Sequence, residues 1–195
     1  MKTTTMLVMA AMTVAGLGCS GADNPATPPA ATPAPVAPAA PAEPAILERP
    51  FSAEQIRDEW TEGLQLRIHR WTPAAEAFER WTVVEVDEEG VGIESVIVSA
   101  DGTPVSEPHL QRSTWVELRD HATFPADSAR REPATRETPL GLLDGWLYTV
   151  QDPSSDLTNE FFFASSLPGA PIVVRVLRDG ELVELFEQVE RSRAE

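Results

Sequence analysis

The chain of 195 residues contains one cysteine, Cys19, one lysine, Lys2, and one tyrosine, Tyr148. A lone cysteine can form no internal disulfide and cannot supply the paired thiolates of a zinc or iron–sulfur site. Every other basic residue is an arginine, so lysine-based covalent chemistry has only Lys2 to draw on. Positive charge is scarce altogether, with 15 Lys+Arg against 31 Asp+Glu and a formal net charge of −16. Such a chain has no basic face with which to hold a phosphate backbone, and nucleic-acid binding is excluded on that ground. Catalytic signatures are missing too. His69, His109 and His121 are not at metal-ligand spacing, and there is neither a Gly-x-Ser-x-Gly elbow nor a Ser-x-x-Lys. We therefore expect no enzyme, no metal and no cofactor.

The longest uncharged run, Met6 to Gly18, follows Lys2 and is rich in Met, Ala, Val and Leu. It spans about a dozen residues, too few to cross roughly 30 Å of hydrocarbon at a rise of about 1.5 Å per residue. Its length and flanks are those of a cleavable secretory signal over residues 1–18. The sole cysteine stands at its end, after Gly16-Leu17-Gly18. Small residues before a cysteine at this point resemble a bacterial lipobox, although the common pattern has leucine where Gly16 stands and a small residue where Leu17 stands. The resemblance implies cleavage before Cys19 and a lipid anchor on its sulfur. The alternative is ordinary signal-peptidase cleavage that leaves a free thiol. Ser20, in place of an aspartate, favours the outer membrane by resemblance to Gram-negative sorting signals.

From Pro25 to Pro50 the chain is dominated by Ala, Pro and Thr and holds nine of its eighteen prolines. Proline at that density forbids helix and sheet alike, so residues 19–49 are expected to form a disordered, polyproline-II-leaning tether. About 25 such residues reach up to roughly 75 Å at about 3.1 Å each. Residues 50–195 are expected to fold as one domain, long enough for a core without disulfides.

That domain opens on a capping box, Ser52 with Gln55 three residues on, flanked by the staple pair Phe51 and Ile56. A short helix over Ala53–Glu62 follows, with Ile56 and Trp60 on one face and Gly63 as its stop. The period then changes to two. Leu64, Leu66 and Ile68 alternate with Gln65, Arg67 and His69, and further strands are expected at Trp81–Val86, a more fully buried run in which Trp81, Val83 and Glu85 lie opposite Thr82, Val84 and Val86, and at Val91–Ser99, Thr114–Arg119, Ala134–Thr138, Leu143–Val150 and Phe161–Ala164. Phe124 to Arg131 is expected to be loop or a single helical turn. Ile172–Leu177 and Glu181–Val189 form a hairpin across Asp179-Gly180, the clearest turn signal in the chain. No helical stretch long enough for a parallel crossover separates these strands. The expected fold is mainly β (α+β): a curved antiparallel sheet or half-barrel packing one short N-terminal helix.

Asp152 to Glu160 gathers oxygen ligands in one loop, but without EF-hand spacing or its turn glycine it is expected to be an acidic solvated loop. Trp60, Trp81 and Trp146 fall on apolar faces and are expected in the core. Trp71 and Trp115 are candidates for a more exposed groove, although one-sided core packing is the simpler expectation for both. Three consecutive phenylalanines cannot share one face of a strand. If Phe162 faces the core, Phe161 and Phe163 meet the helix, a lipid-facing groove or a partner; packing against the helix is the simplest of these. Trp71, Trp115, Phe161 and Phe163 are thus the candidate ligand or partner surface.

A Trp/Tyr strand over Trp146-Leu147-Tyr148, the phenylalanine strand, then Leu167-Pro168-Gly169-Ala170-Pro171 and a closing hairpin resemble the organisation of bacterial envelope lipoproteins of the half-barrel type, such as the LolA and LppX families. The resemblance covers the last third of the chain and, more loosely, the opening helix–Gly–strand unit. It implies a membrane-anchored envelope protein that binds an apolar ligand, a lipid or another envelope component without catalysis. The competing expectations are an interaction lipoprotein whose sheet is filled by its own side chains, and a secreted hydrolase with a dispersed site.

Overall fold

Residues 45–151 and 154–193 are described in a computed structural model. The leader, Cys19 and the tether as far as Pro44 lie outside the described residues, as do Asp152 and Pro153 of the acidic loop.

The first helix forms where its caps require it. The Gln55 amide donates to Ser52 Oγ at 3.2 Å, and the Ser52 amide donates back to Gln55 Oε1 at 2.8 Å. This closes α1 (Ala53–Glu59) at its N-terminus, and Trp60 caps the other end. Phe51, Ile56 and Trp60 are buried on its inward side. Gly63 then turns the chain with φ 83°, a conformation that glycine adopts without steric cost.

Nine antiparallel strands follow: β1 (Leu64–Thr72), β2 (Ala75–Val86), β3 (Gly90–Val98), β4 (His109–Thr114), β5 (Ala129–Thr138), β6 (Gly141–Gln151), β7 (Leu157–Ala164), β8 (Val173–Arg178) and β9 (Glu181–Arg193). They form one curved, unclosed sheet in the order β4-β3-β2-β1-β9-β8-β7-β6-β5. The fold is thus mainly β, as the alternation and turns imply. The first and last strands of the domain lie side by side, and β4 and β5 are the two edges. To pass from one edge to the other, the chain between them must run over a face of the sheet. That crossing segment packs on the same face as α1, as members of one core cluster show: Ile56 and Trp60 from the helix, Trp115, Ala122 and Phe124 from the crossing. We call this the inner face.

Register shows which side chains point inward. Leu66 lies opposite Trp81, and Trp81 opposite Ser95. Leu64, Leu66 and Ile68 are all but completely buried on that face. At the far end, Tyr148 pairs with Phe161 and Trp146 with Phe163. The outer face carries a smaller cluster of Leu147, Phe162, Ala164, Ile172 and Val173, with Leu140 and Leu167 packed against it. The phenylalanine triplet is housed by this division: Phe162 faces one core, Phe161 and Phe163 the other.

Four local readings are corrected. Thr114–Arg119 is not a strand: β4 ends at Thr114, and α2 (Trp115–Asp120) follows. The reason is a second capping box, in which the Glu117 amide donates to Thr114 Oγ1 and the Thr114 amide to Glu117 Oε2; such a cap stabilises a helix start by about 1 kcal/mol. The domain therefore has two helices, not one. Val84 and Val86 are exposed rather than buried, because a register shift between Val83 and Glu85 breaks the alternation. The segment after Ala129, expected to be loop as far as Arg131, is already β5, with Pro133 tolerated because this strand is an edge. Finally, Ala45 to Arg49, assigned to the tether by composition, pack on the domain. Ile46 bridges to Pro125, the Leu47 amide donates to Phe124 O at 2.9 Å, and the Ala126 amide donates to Ala45 O at 2.8 Å.

Candidate functional site

The inner face is filled unevenly. Toward β5 it is packed solid with aromatic rings: Phe124 lies 4.9 Å from Tyr148 and 5.0 Å from Phe161, while Phe163 meets Tyr148 edge-on at 5.6 Å. The Tyr148 hydroxyl donates to Glu48 O at 2.6 Å and fastens the incoming chain over this end. Burial pushes its phenol pKa up, and the neighbouring Arg131 partly offsets that.

Toward β4 the same face is not filled. Between the sheet and the two helices lies a cavity of about 340 Å³. Its sheet side is formed by Trp81, Ile93, Phe161 and Phe163, and its helix side includes Ile56, Trp60 and Leu118. One interaction holds much of this frame. The Trp60 indole donates to Pro168 O at 2.9 Å, and its ring lies beneath Gly169. Gly169 has φ 126°, and a Cβ there would fall 2.1 Å from Trp60 Nε1. The Leu-Pro-Gly-Ala-Pro segment is thus a wall of the cavity shaped around one indole. Its far side is pinned by Gln188, fully buried on β9, whose Nε2 donates to Pro171 O at 3.0 Å and to Ala170 O at 3.4 Å. Gln188 Oε1 is buried without a hydrogen-bond partner.

The polar groups of the cavity are on strands β2 to β4. Glu79, Ser95, Gln111 and Ser113 line it, joined by His121 just beyond α2. Glu79 is on the same side of β2 as Trp81, and its side chain is 14 % exposed. Its Oε1 accepts from Trp81 Nε1 at 2.8 Å, and its Oε2 faces Arg70 Nη1 at 3.4 Å. Arg70 also reaches Glu184 at 3.7 Å, so two carboxylates share one guanidinium. Ser113 is 6 % exposed and borders the cavity. The arrangement can hold a mostly apolar body and hydrogen-bond one edge of it.

The structure brings two of the four candidate surface residues, Phe161 and Phe163, into the cavity wall. The other two are elsewhere. Trp115 is 5 % exposed and packs in the core rather than in a groove, because α2 turns it inward and its indole donates to Asp87 O at 3.0 Å. Trp71 is half-buried near the end of β1 on the outer face, opposite Glu76. Sequence reasoning missed Trp60, Glu79, Ser113 and Gln188 as parts of the site. Only Glu79 carried a local signal, an acid two residues before an inward tryptophan.

The histidines lie apart. His121 borders the cavity, His109 is exposed on edge strand β4, and His69 is on the outer face, 2.8 Å from Glu76 and stacked on Phe78. Among the described residues no cluster of His, Cys, Asp and Glu is placed to hold a metal. His69 lies opposite Glu187, whose carboxyl is held above its ordinary range by burial, with His69 acting weakly the other way. A raised carboxyl pKa makes the folded state keep its proton to higher pH than the unfolded chain does. Its penalty is absent below the unfolded value of about 4.3 and appears as pH rises through the folded one. Glu187→Gln is therefore expected to raise the melting temperature at neutral pH and to leave it unchanged below about pH 4. An equal gain at both would show that the effect is not ionic.

No protein-family model matches the chain, and no curated protein does. Solved structures share its fold. A complex of MucB with MucA(peri) matches with a TM-score of 0.51 and 11 % identity, covering 72 % of this chain and 53 % of that one. The MucA/MucB complex of Pseudomonas aeruginosa matches with a TM-score of 0.51 and 11 % identity, covering 73 % and 56 %. This chain thus spans about half the length of the proteins it resembles, and at that identity the likeness concerns the fold alone.

Proposed function

We propose that this is an exported, lipid-anchored protein of the bacterial cell envelope, held in the outer membrane, that acts without catalysis by binding an apolar ligand in the inner-face cavity. The observation that carries the reading is the cavity itself. A sheet filled by its own side chains would have none at the β4 end, and this one leaves about 340 Å³ there, walled mainly by aromatic and aliphatic groups. An apolar cavity of about 150 Å³ holds benzene, so this one suits about a dozen carbon atoms, near the lower bound of ordinary ligand pockets. The leader and lipobox-like Cys19 support the location. The fold it shares with MucB, solved in complex with another protein, supports a binding role. A second reading, docking of an envelope protein along edge strand β4, draws on the exposed Leu110 on that strand and Val105 shortly before it.

Two measurements test the proposal. Cys19→Ala should move the full chain from the membrane fraction to the soluble one; a protein still membrane-bound removes the anchor. Native mass spectrometry of that released chain should then show a stoichiometric apolar mass. A bare polypeptide whose melting temperature ignores added alkyl compounds would leave the edge-strand reading as the better one.

A further inference from the structure

The cavity's charges narrow its ligand. Of its lining residues, Glu79 and His121 are titratable, and no arginine or lysine is among them. Glu79 faces Arg70, but Arg70 also faces Glu184, so one guanidinium is shared between two carboxylates. On the covering helices the acids are themselves paired: Glu59 of α1 meets Arg191 at 2.8 Å and Arg193 at 3.8 Å, and Asp120 of α2 meets Arg119 at 2.7 Å and Arg49 at 3.2 Å. A ligand with an anionic head would therefore meet the Glu79 carboxylate in a lining that contains no arginine or lysine among the described residues. The hydrogen-bonding groups fit the opposite chemistry. Glu79 Oε1 takes one bond from Trp81 Nε1, and a carboxylate oxygen has room for a second donor. Ser95 on β3 lies opposite Trp81, one inward position along from Glu79, while Gln111 and Ser113 on β4 lie opposite Ile93 and Val91, further along the strands.

We propose that the cavity selects single-chain amphiphiles whose head donates hydrogen bonds and carries no negative charge, an alcohol or an ammonium, against fatty-acid and phosphate heads. This rests on the cavity being a ligand site at all, and the test separates the two. The full chain carrying Cys19→Ala, which needs no detergent, is titrated with decanol, decylammonium and decanoate, and binding is followed by tryptophan fluorescence and calorimetry. The three probes share one chain length, so differences between them report the head. Decanol and decylammonium should bind at least about tenfold more tightly than decanoate, a factor that follows from one unscreened like-charge contact near a protein surface. Raising the salt should weaken decylammonium and strengthen decanoate. Glu79→Gln keeps an oxygen for Trp81 while removing the charge, and it should narrow the gap to less than about threefold. Decanoate binding as tightly as decanol in the wild-type cavity overturns the selectivity and leaves the cavity as a ligand site. Absence of binding by all three overturns the ligand reading and the selectivity with it. If Glu79→Gln does not fold, the wild-type ranking and its salt dependence still decide.

Discussion

Replacing Trp60 by alanine should lower the unfolding free energy by about 3–5 kcal/mol, the range for removing a fully buried aromatic side chain, and should abolish ligand binding. Trp60 is 2 % exposed and ends α1. Its indole joins three parts of the chain: the helix end, the Pro168–Gly169 turn and the sheet-side rings. Loss of the ring removes apolar burial and also leaves Pro168 O without the indole donor, so the two costs add. Trp60→Phe separates them, because it retains most of the buried area and gives up only the hydrogen bond, worth about 1 kcal/mol. Urea denaturation of the three proteins measures the series. A loss of less than about 1 kcal/mol for alanine would show that the loop holds its place without the indole. The same argument predicts coupling to Gly169. Gly169→Ala brings a Cβ to within 2.1 Å of the indole nitrogen. Part of its cost should therefore vanish in the Trp60→Ala background, and the part due to its φ of 126° should remain.

The distribution of groups over the two faces explains why some of this fold is legible in the sequence. Ser52 with Gln55 announces α1 because a capping box is a local pattern, complete within four residues. Asp179-Gly180 announces the last hairpin for the same reason, and the two residues do take φ 51° and 83°. The alternation from Leu64 to Ile68 is visible because one side of β1 is fully buried and the other partly wet. Failures occur where two local patterns compete. Thr114, Val116 and Leu118 alternate like a strand, and a helix of six residues is too short to show its own period. The Thr114–Glu117 capping box is the discriminating feature there, and the alternation hides it. Beginning β2 at Trp81 instead of Ala75 has a larger consequence. It leaves Glu79 outside the strand, although the parity that points Trp81 inward also points Glu79 inward. Phe161 and Phe163 are legible as a pair apart from Phe162 because a strand alternates. That they border an empty volume is not legible, since a cavity is created by how far α1, α2 and the Leu167–Pro171 loop stand from the sheet. Those distances are set by non-local contacts, Trp60 to Pro168 and Gln188 to Pro171, between residues far apart in the chain.

The second large effect concerns the sheet on which the cavity rests. Gly145→Ala is expected to cost about 3 kcal/mol or more, a large share of the roughly 5–15 kcal/mol that holds a domain together. Gly145 lies in β6 between Ala134 of β5 and Ala164 of β7, so small residues already flank it on both sides. A Cβ at Gly145 would fall 1.9 Å from the Phe163 carbonyl oxygen and 2.9 Å from the Ala164 Cα. Both obstacles are backbone, and β7 is fixed by β8 on its other side, so neither can rotate away. Relief requires β6 and β7 to separate, and that shifts Phe161 and Phe163 away from the cavity they wall. The variant should therefore lose binding even under conditions where it still folds. Gly92 supplies the contrast within the same sheet. A Cβ there approaches the Glu85 Cβ at 3.1 Å, beside the register shift in β2, where the backbone can give. Gly92→Ala should change stability by no more than about 1 kcal/mol. Similar losses at the two positions would mean that any added methyl disturbs this sheet. A large loss at Gly145 alone would place the constraint in the close approach of β6 and β7, where the phenylalanine strand is held against the inner face.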